Sequence, residues 1–185
     1  MKISRIVLLA AAVAISVPAA AVAQSKKSAK NAQVKRGEYL VNSVGCHDCH
    51  TPMKMGANGP EPDMTRMLSG HPQDMQVPPA PASSGPWVIH AAPLTAWSGP
   101  WGLSFAANLT PDPETGVLRD FTEQQFIQAI RTGKHQGQGR PILPPMPWPA
   151  FKNMTDADLK AIFAYLRQIP PIKNKVPDPV LAGAQ

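Results

Sequence analysis

The chain has 185 residues, which suits one domain, with a formal charge of +6 and only two cysteines. Its 22 prolines are roughly twice average usage, yet proline and glycine together stay below the level of a disordered chain. The positive balance is mild and no basic run is interleaved with aromatic residues, so nucleic acid is not an expected partner.

Lys2 and Arg5 precede an apolar run from Ile6 to Val17, and Ala21-Val22-Ala23 follows as a small-residue cleavage box. Residues 1–23 therefore read as a secretory signal peptide, with Gln24 the first mature residue. The run is too short for a comfortable bilayer span and breaks at Pro18, so removal is expected rather than retention as an anchor. No other stretch is apolar enough to cross a membrane. The expectation is an exported, periplasmic protein with no membrane span after cleavage and a mature charge of about +4. Residues 24–33, with Lys26, Lys27 and Lys30, read as a flexible, solvated mature N-terminus.

Residues 34–44 are helix-compatible, with Val34, Leu40, Val41 and Val44 available for an apolar face. Gly37 lies mid-helix, where glycine costs about 1 kcal/mol relative to alanine. It is either merely tolerated or permits a second helix to approach closely. The helix leads directly into Cys46-His47-Asp48-Cys49-His50. Two thiols three positions apart, followed at once by histidine, form the attachment sequence for a c-type haem. On one helical turn, Cys46 and Cys49 can reach the two vinyl groups of a porphyrin, and His50 can place an imidazole nitrogen on the iron. His47 and Asp48 are spacers. The competing uses are a disulfide, a zinc site lacking a second cysteine pair, and a dithiol redox pair that leaves His50 unexplained.

Residues 51–86 show neither helical nor strand periodicity and read as a long proline- and methionine-rich loop insertion. Met53, Met55, Met64, Met67 and Met75, with His71, can bind a soft metal such as Cu(I) or serve as adaptable apolar cover. Trp87, Trp97 and Trp101 can wall a pocket or fill the core. Pro111 to Gly116 is a turn cluster.

Two helices then follow. Thr122 is an N-cap with Gln125 three positions on, Phe121 and Phe126 are placed as a staple, and Gly133 supplies the stop. Thr155 opens the second with Asp158 at the third position. Leu159, Ile162, Phe163 and Leu166 form its apolar stripe, and Pro170-Pro171 ends it. The tail, residues 177–185, is expected to pack along the surface or fray.

Between these helices, Met146 is flanked by Pro145 and Pro147. Proline restrains its backbone, which suits a thioether presented as a sixth iron ligand. Met146 as apolar loop packing, Met154 in its place, and a second histidine among His71, His90 and His135 are the alternatives.

An N-terminal helix ending in CHDCH, a later loop offering Met146 and a capped C-terminal helix together resemble a class I c-type cytochrome. The run from Asn108 to Gly116, then FTEQQFIQAIRTGKH and MPWPAFKNMTDADLKAIFAYLRQIPP, is similar to cytochrome subunits of periplasmic dehydrogenases. The resemblance implies a mainly α fold, three to five helices around one covalent haem c, occupying residues 34–176. It implies that Cys46 and Cys49 hold the haem, that His50 and Met146 are its axial ligands, and that Asn108 and Thr110 lie near its edge. It also implies that the first and last helices cross, pairing Gly37 and Leu40 with the Phe163 to Leu166 face. The expected function is one-electron transfer rather than catalysis, between a periplasmic dehydrogenase and a terminal oxidase or other cytochrome. The rivals are a haem enzyme or gas sensor with an open distal site, and a methionine-rich copper-binding protein.

Overall fold

Helix α1 (Ala19–Ser43) and α2 (Cys46–His50) are joined by Gly45, whose φ of 80° lies in the left-handed region. Glycine adopts that conformation without steric cost, and the chain turns there so that α2 leaves α1 at once. The computed structural model describes residues 19–78 and 87–183. Most of the expected leader lies outside the described residues, and its cleavage box falls in the first turns of α1. Residues 24–33 are helical. Alanine, lysine and glutamine favour helix, and neither proline nor glycine interrupts the run until Gly37. This part of α1 is exposed as far as residue 32. Among the described residues, no helix is long and apolar enough to cross a membrane.

The next region contains strands where a loop was expected. Strand β1 (Met53–Gly56) pairs with β2 (Gly59–Pro62) as an antiparallel hairpin closed by Ala57-Asn58, with Gly56 opposite Gly59. The strands are short and carry prolines and glycines, so no alternating apolar pattern marks them. Met67 packs against the core, whereas Met55, Met64 and Met75 are exposed. A second sheet is formed by β3 (Ile89–His90), β4 (Ala96–Gly99), β5 (Gly102–Phe105) and β6 (Val180–Leu181), antiparallel and in that spatial order. The tail is thus not a loose end: Val180 pairs with Leu103, and Leu181 with Gly102.

The helical core follows the expected stripes. Helix α3 (Glu123–Thr132) has a complete capping box between Thr122 and Gln125 and ends on left-handed Gly133. Phe126, Ile127 and Ile130 are buried. After the short α4 (Trp148–Phe151), α5 (Asp156–Leu166) starts at Thr155, whose hydroxyl accepts the Asp158 N–H at 3.1 Å. Leu159, Ile162, Phe163 and Leu166 join Leu40 and Val41 of α1 in one buried cluster, with the Phe126 and Phe163 rings 5.4 Å apart. At Gly37, α1 meets the backbone of Ala161 and the β-carbon of Tyr165 on α5. Arg36 clamps the same crossing through Asp158 at 2.9 Å. The mainly helical core agrees with expectation, whereas the six short strands among the described residues were not expected.

Candidate functional site

Helix α2, the Met146 loop and the turn before α3 enclose one cavity of about 670 Å³, a size suited to a cofactor. Cys46, Cys49, His50 and Met146 all line it. Residues far apart in the chain are brought together because α1 delivers α2 to one wall and Pro144–Pro147 form another. Leu109, Phe126, Ile130 and Ile142 supply apolar wall. Trp97 is the tryptophan of the expected three that lines it. Trp87 is exposed, and Trp101 lies against Gly99 in the sheet.

The two cysteines are free and partly buried. Burial pushes the Cys46 thiol up to about 11, and burial also raises Cys49. No group of three or more histidines, cysteines and carboxylates is placed to hold a bare metal ion among the described residues. A donor set of two thiols, one imidazole and one thioether around an apolar cavity fits a covalent haem better than a zinc site.

His50 is held through its Nδ1, 2.7 Å from the Ala107 carbonyl oxygen. A carbonyl can only accept, so Nδ1 carries the proton and Nε2 keeps a lone pair. Burial holds the imidazole below its ordinary value, against the opposing pull of the Ala107 bond, and this favours the neutral ligand form. His47 is more than a spacer in contact terms: its Nδ1 lies 2.9 Å from the Thr51 hydroxyl, while its Nε2 is buried without a partner.

Asn108 lines the cavity, but its amide is fully engaged in the protein. Its Oδ1 accepts from the Thr110 N–H and hydroxyl, and its Nδ2 donates to the Ile172 carbonyl at 2.8 Å. Thr110 is fully buried and does not line the cavity; its hydroxyl accepts the Ile172 N–H at 3.1 Å. These residues fasten the strap 172–179, of which Lys175, Val176 and Pro177 form cavity wall. Sequence reading missed this strap, together with Ala107 and Asn174. Ala107 acts through its backbone, which leaves no mark in side-chain pattern.

Of the other candidate ligands, Met154 and His135 line the cavity. His71 does not. It is buried in its own hydrogen bonds, with Nε2 donating to the Met75 carbonyl at 3.0 Å and Nδ1 2.9 Å from the Thr95 hydroxyl. His90 is exposed on β3.

The chain has relatives among known proteins. The chain is 30% identical over 155 residues to the cytochrome c subunit of quinone alcohol dehydrogenase from Gluconobacter oxydans, covering 82% of this chain and 25% of the relative. The chain is similar to cytochrome c subunits of dehydrogenases. The gluconate 2-dehydrogenase cytochrome c subunit of Pantoea cypripedii is 30% identical over 137 residues, 74% of this chain and 23% of that one. The fructose dehydrogenase cytochrome subunit of Gluconobacter japonicus is 27% identical over 139 residues, 75% of this chain and 22% of that protein. The chain thus spans about a quarter of the length of these curated relatives. No protein-family model matches the chain.

Proposed function

We propose that this chain is a periplasmic mono-haem cytochrome of the class I fold, taking single electrons from a dehydrogenase and passing them to a terminal oxidase or another cytochrome. In this reading Cys46 and Cys49 form the thioethers, His50 is the proximal iron ligand and Met146 the distal one. One observation carries it: all four side chains border the same largely apolar cavity. The names of the relatives support the electron-transfer role and suggest the dehydrogenase partner. Two cysteines in the chain allow one such attachment.

Bound haem would supply a ferric–ferrous couple whose potential is raised by methionine–histidine ligation. The protein's own residues do the rest. Ala107 orients His50 and fixes its tautomer, the apolar walls limit water, and the prolines around Met146 restrain a weak donor. No side chain is asked to do acid–base or nucleophilic work. The test is the visible spectrum of protein matured in a host that attaches haem c. Sharp low-spin bands that survive denaturation, with a weak far-red ferric band, are expected. Protein that carries no covalent haem would overturn the reading, and high-spin bands would replace it with an open-site enzyme or sensor.

A further inference from the structure

The loop that carries Met146 is rigid but poorly fastened. Pro144, Pro145 and Pro147 have no N–H to donate, and the Met146 N–H reaches only the Leu143 carbonyl, at 3.3 Å within the same loop. Proline therefore fixes the shape of the segment but not its place in the molecule. Its placement comes from the sheet. Ser104 on β5 is 5% exposed, and its hydroxyl donates to the Pro144 carbonyl at 2.6 Å. Among the described residues, no other hydrogen bond ties Leu143–Met146 to a different element. The single proton of Ser104 is committed there, since the Trp97 carbonyl is farther, at 3.4 Å. A lone pair of the same oxygen accepts the Trp101 indole N–H at 3.1 Å, which orients the hydroxyl.

We propose that Ser104, oriented by Trp101, is a positioning residue for Met146, so that the small sheet sets how firmly the thioether is presented to the iron. This rests on the reading of Met146 as distal ligand. A thioether is a weak donor, and a loop free to shift by a fraction of an ångström yields its place to a competing ligand. Losing the Ser104 bond removes the tie between this loop and the sheet, and because Pro144 is exposed its carbonyl can turn to water, so the loop loosens.

The experiment compares wild-type holoprotein with Ser104→Ala, Ser104→Thr and Trp101→Phe. It reads the far-red ferric band, the midpoint potential and the affinity of ferric protein for imidazole. Ser104→Ala is expected to weaken the band, lower the potential and tighten imidazole binding on the order of tenfold, the worth of one such bond. Ser104→Thr, which keeps the hydroxyl, restores the wild-type values, and Trp101→Phe falls between. A wild-type band left unchanged in Ser104→Ala, with imidazole affinity within about twofold of wild type, overturns the inference while leaving the ligand assignment intact. So does a fall in thermal midpoint without any change in imidazole affinity, which marks a purely structural bond. A wild-type protein without the far-red band instead removes Met146 from the iron, and the inference falls with that reading. If Ser104→Ala does not accumulate, Trp101→Phe carries the same comparison.

Discussion

Gly37 of α1 lies so close to Ala161 of α5 that a β-carbon at residue 37 would sit 1.9 Å from the Ala161 carbonyl oxygen. Two helices meet here through backbone, and only the absence of a side chain allows it. Because α1 runs on into the Cys46–His50 turn, the depth of this crossing also sets where one wall of the cavity stands.

Gly37→Ala is expected to destabilise the fold by about 1–3 kcal/mol through overpacking. Intrinsic helix propensity predicts the opposite sign, a gain of about 1 kcal/mol. Urea unfolding of the two proteins decides between them, and a stabilised variant would mean that the helices can separate at little cost.

Asn174 is 1% exposed and makes three side-chain hydrogen bonds. Its Oδ1 accepts the Gln73 N–H at 2.9 Å, and its Nδ2 donates to the carbonyls of Ser69 and His71 at 2.7 and 2.8 Å. Asn174→Ala should cost about 3 kcal/mol, because the Ser69 and His71 carbonyls stay buried and unpaired. It should also make the 172–179 strap a site of early proteolysis, while a variant as stable and protease-resistant as wild type would show the strap held by other contacts.

His71 provides a pH dependence. Burial is the main cause holding its imidazole below the ordinary 6.5, reinforced by Arg66 and opposed by the Met75 carbonyl and Asp74. The unfolded chain therefore binds a proton at pH values where the folded protein does not. The resulting stability is fully present above about pH 6.5 and is lost as pH falls through the folded value. Burial also holds His47 and His135 below their ordinary value, so the measurement is a difference: the acid slope of unfolding free energy should be shallower in His71→Gln than in wild type. Equal slopes would count against a neutral, buried His71.

Two methionines border the cavity, and their replacement separates them. Met146→Ala should abolish the far-red ferric band, lower the potential and admit carbon monoxide to the ferrous protein. Met154→Ala should leave all three near wild type and cost stability as a partly buried core side chain. The reverse pattern would move the distal ligand to Met154.

Much of the chain was legible in advance because its signals are local. The capping box at Thr122 and Gln125 and the start at Thr155 involve residues three apart, and both helices form there with the apolar faces that their spacing indicates. The strands were illegible for a related reason. Pairs such as Leu103 with Val180 owe their existence to a distant partner; the brief alternation of Trp101, Leu103 and Phe105 with Gly102 and Ser104 is too short to mark a strand by itself.

By itself the sequence determined the Cys46–His50 turn, the helices of the core, and Met146 and the two cysteines as donors worth following, since each is written in residue type and short spacing. Tertiary structure alone decided that these donors border one cavity, that the Ala107 carbonyl holds His50, and that Asn108 and Thr110 secure the C-terminal strap. It also decided that Ser104 reaches Pro144, 40 residues away, and that Asn174 reaches Ser69 across 105. The physical reason is that a carbonyl oxygen is the same in every residue. Which donor finds it depends on how the helices and strands pack, not on any motif around it.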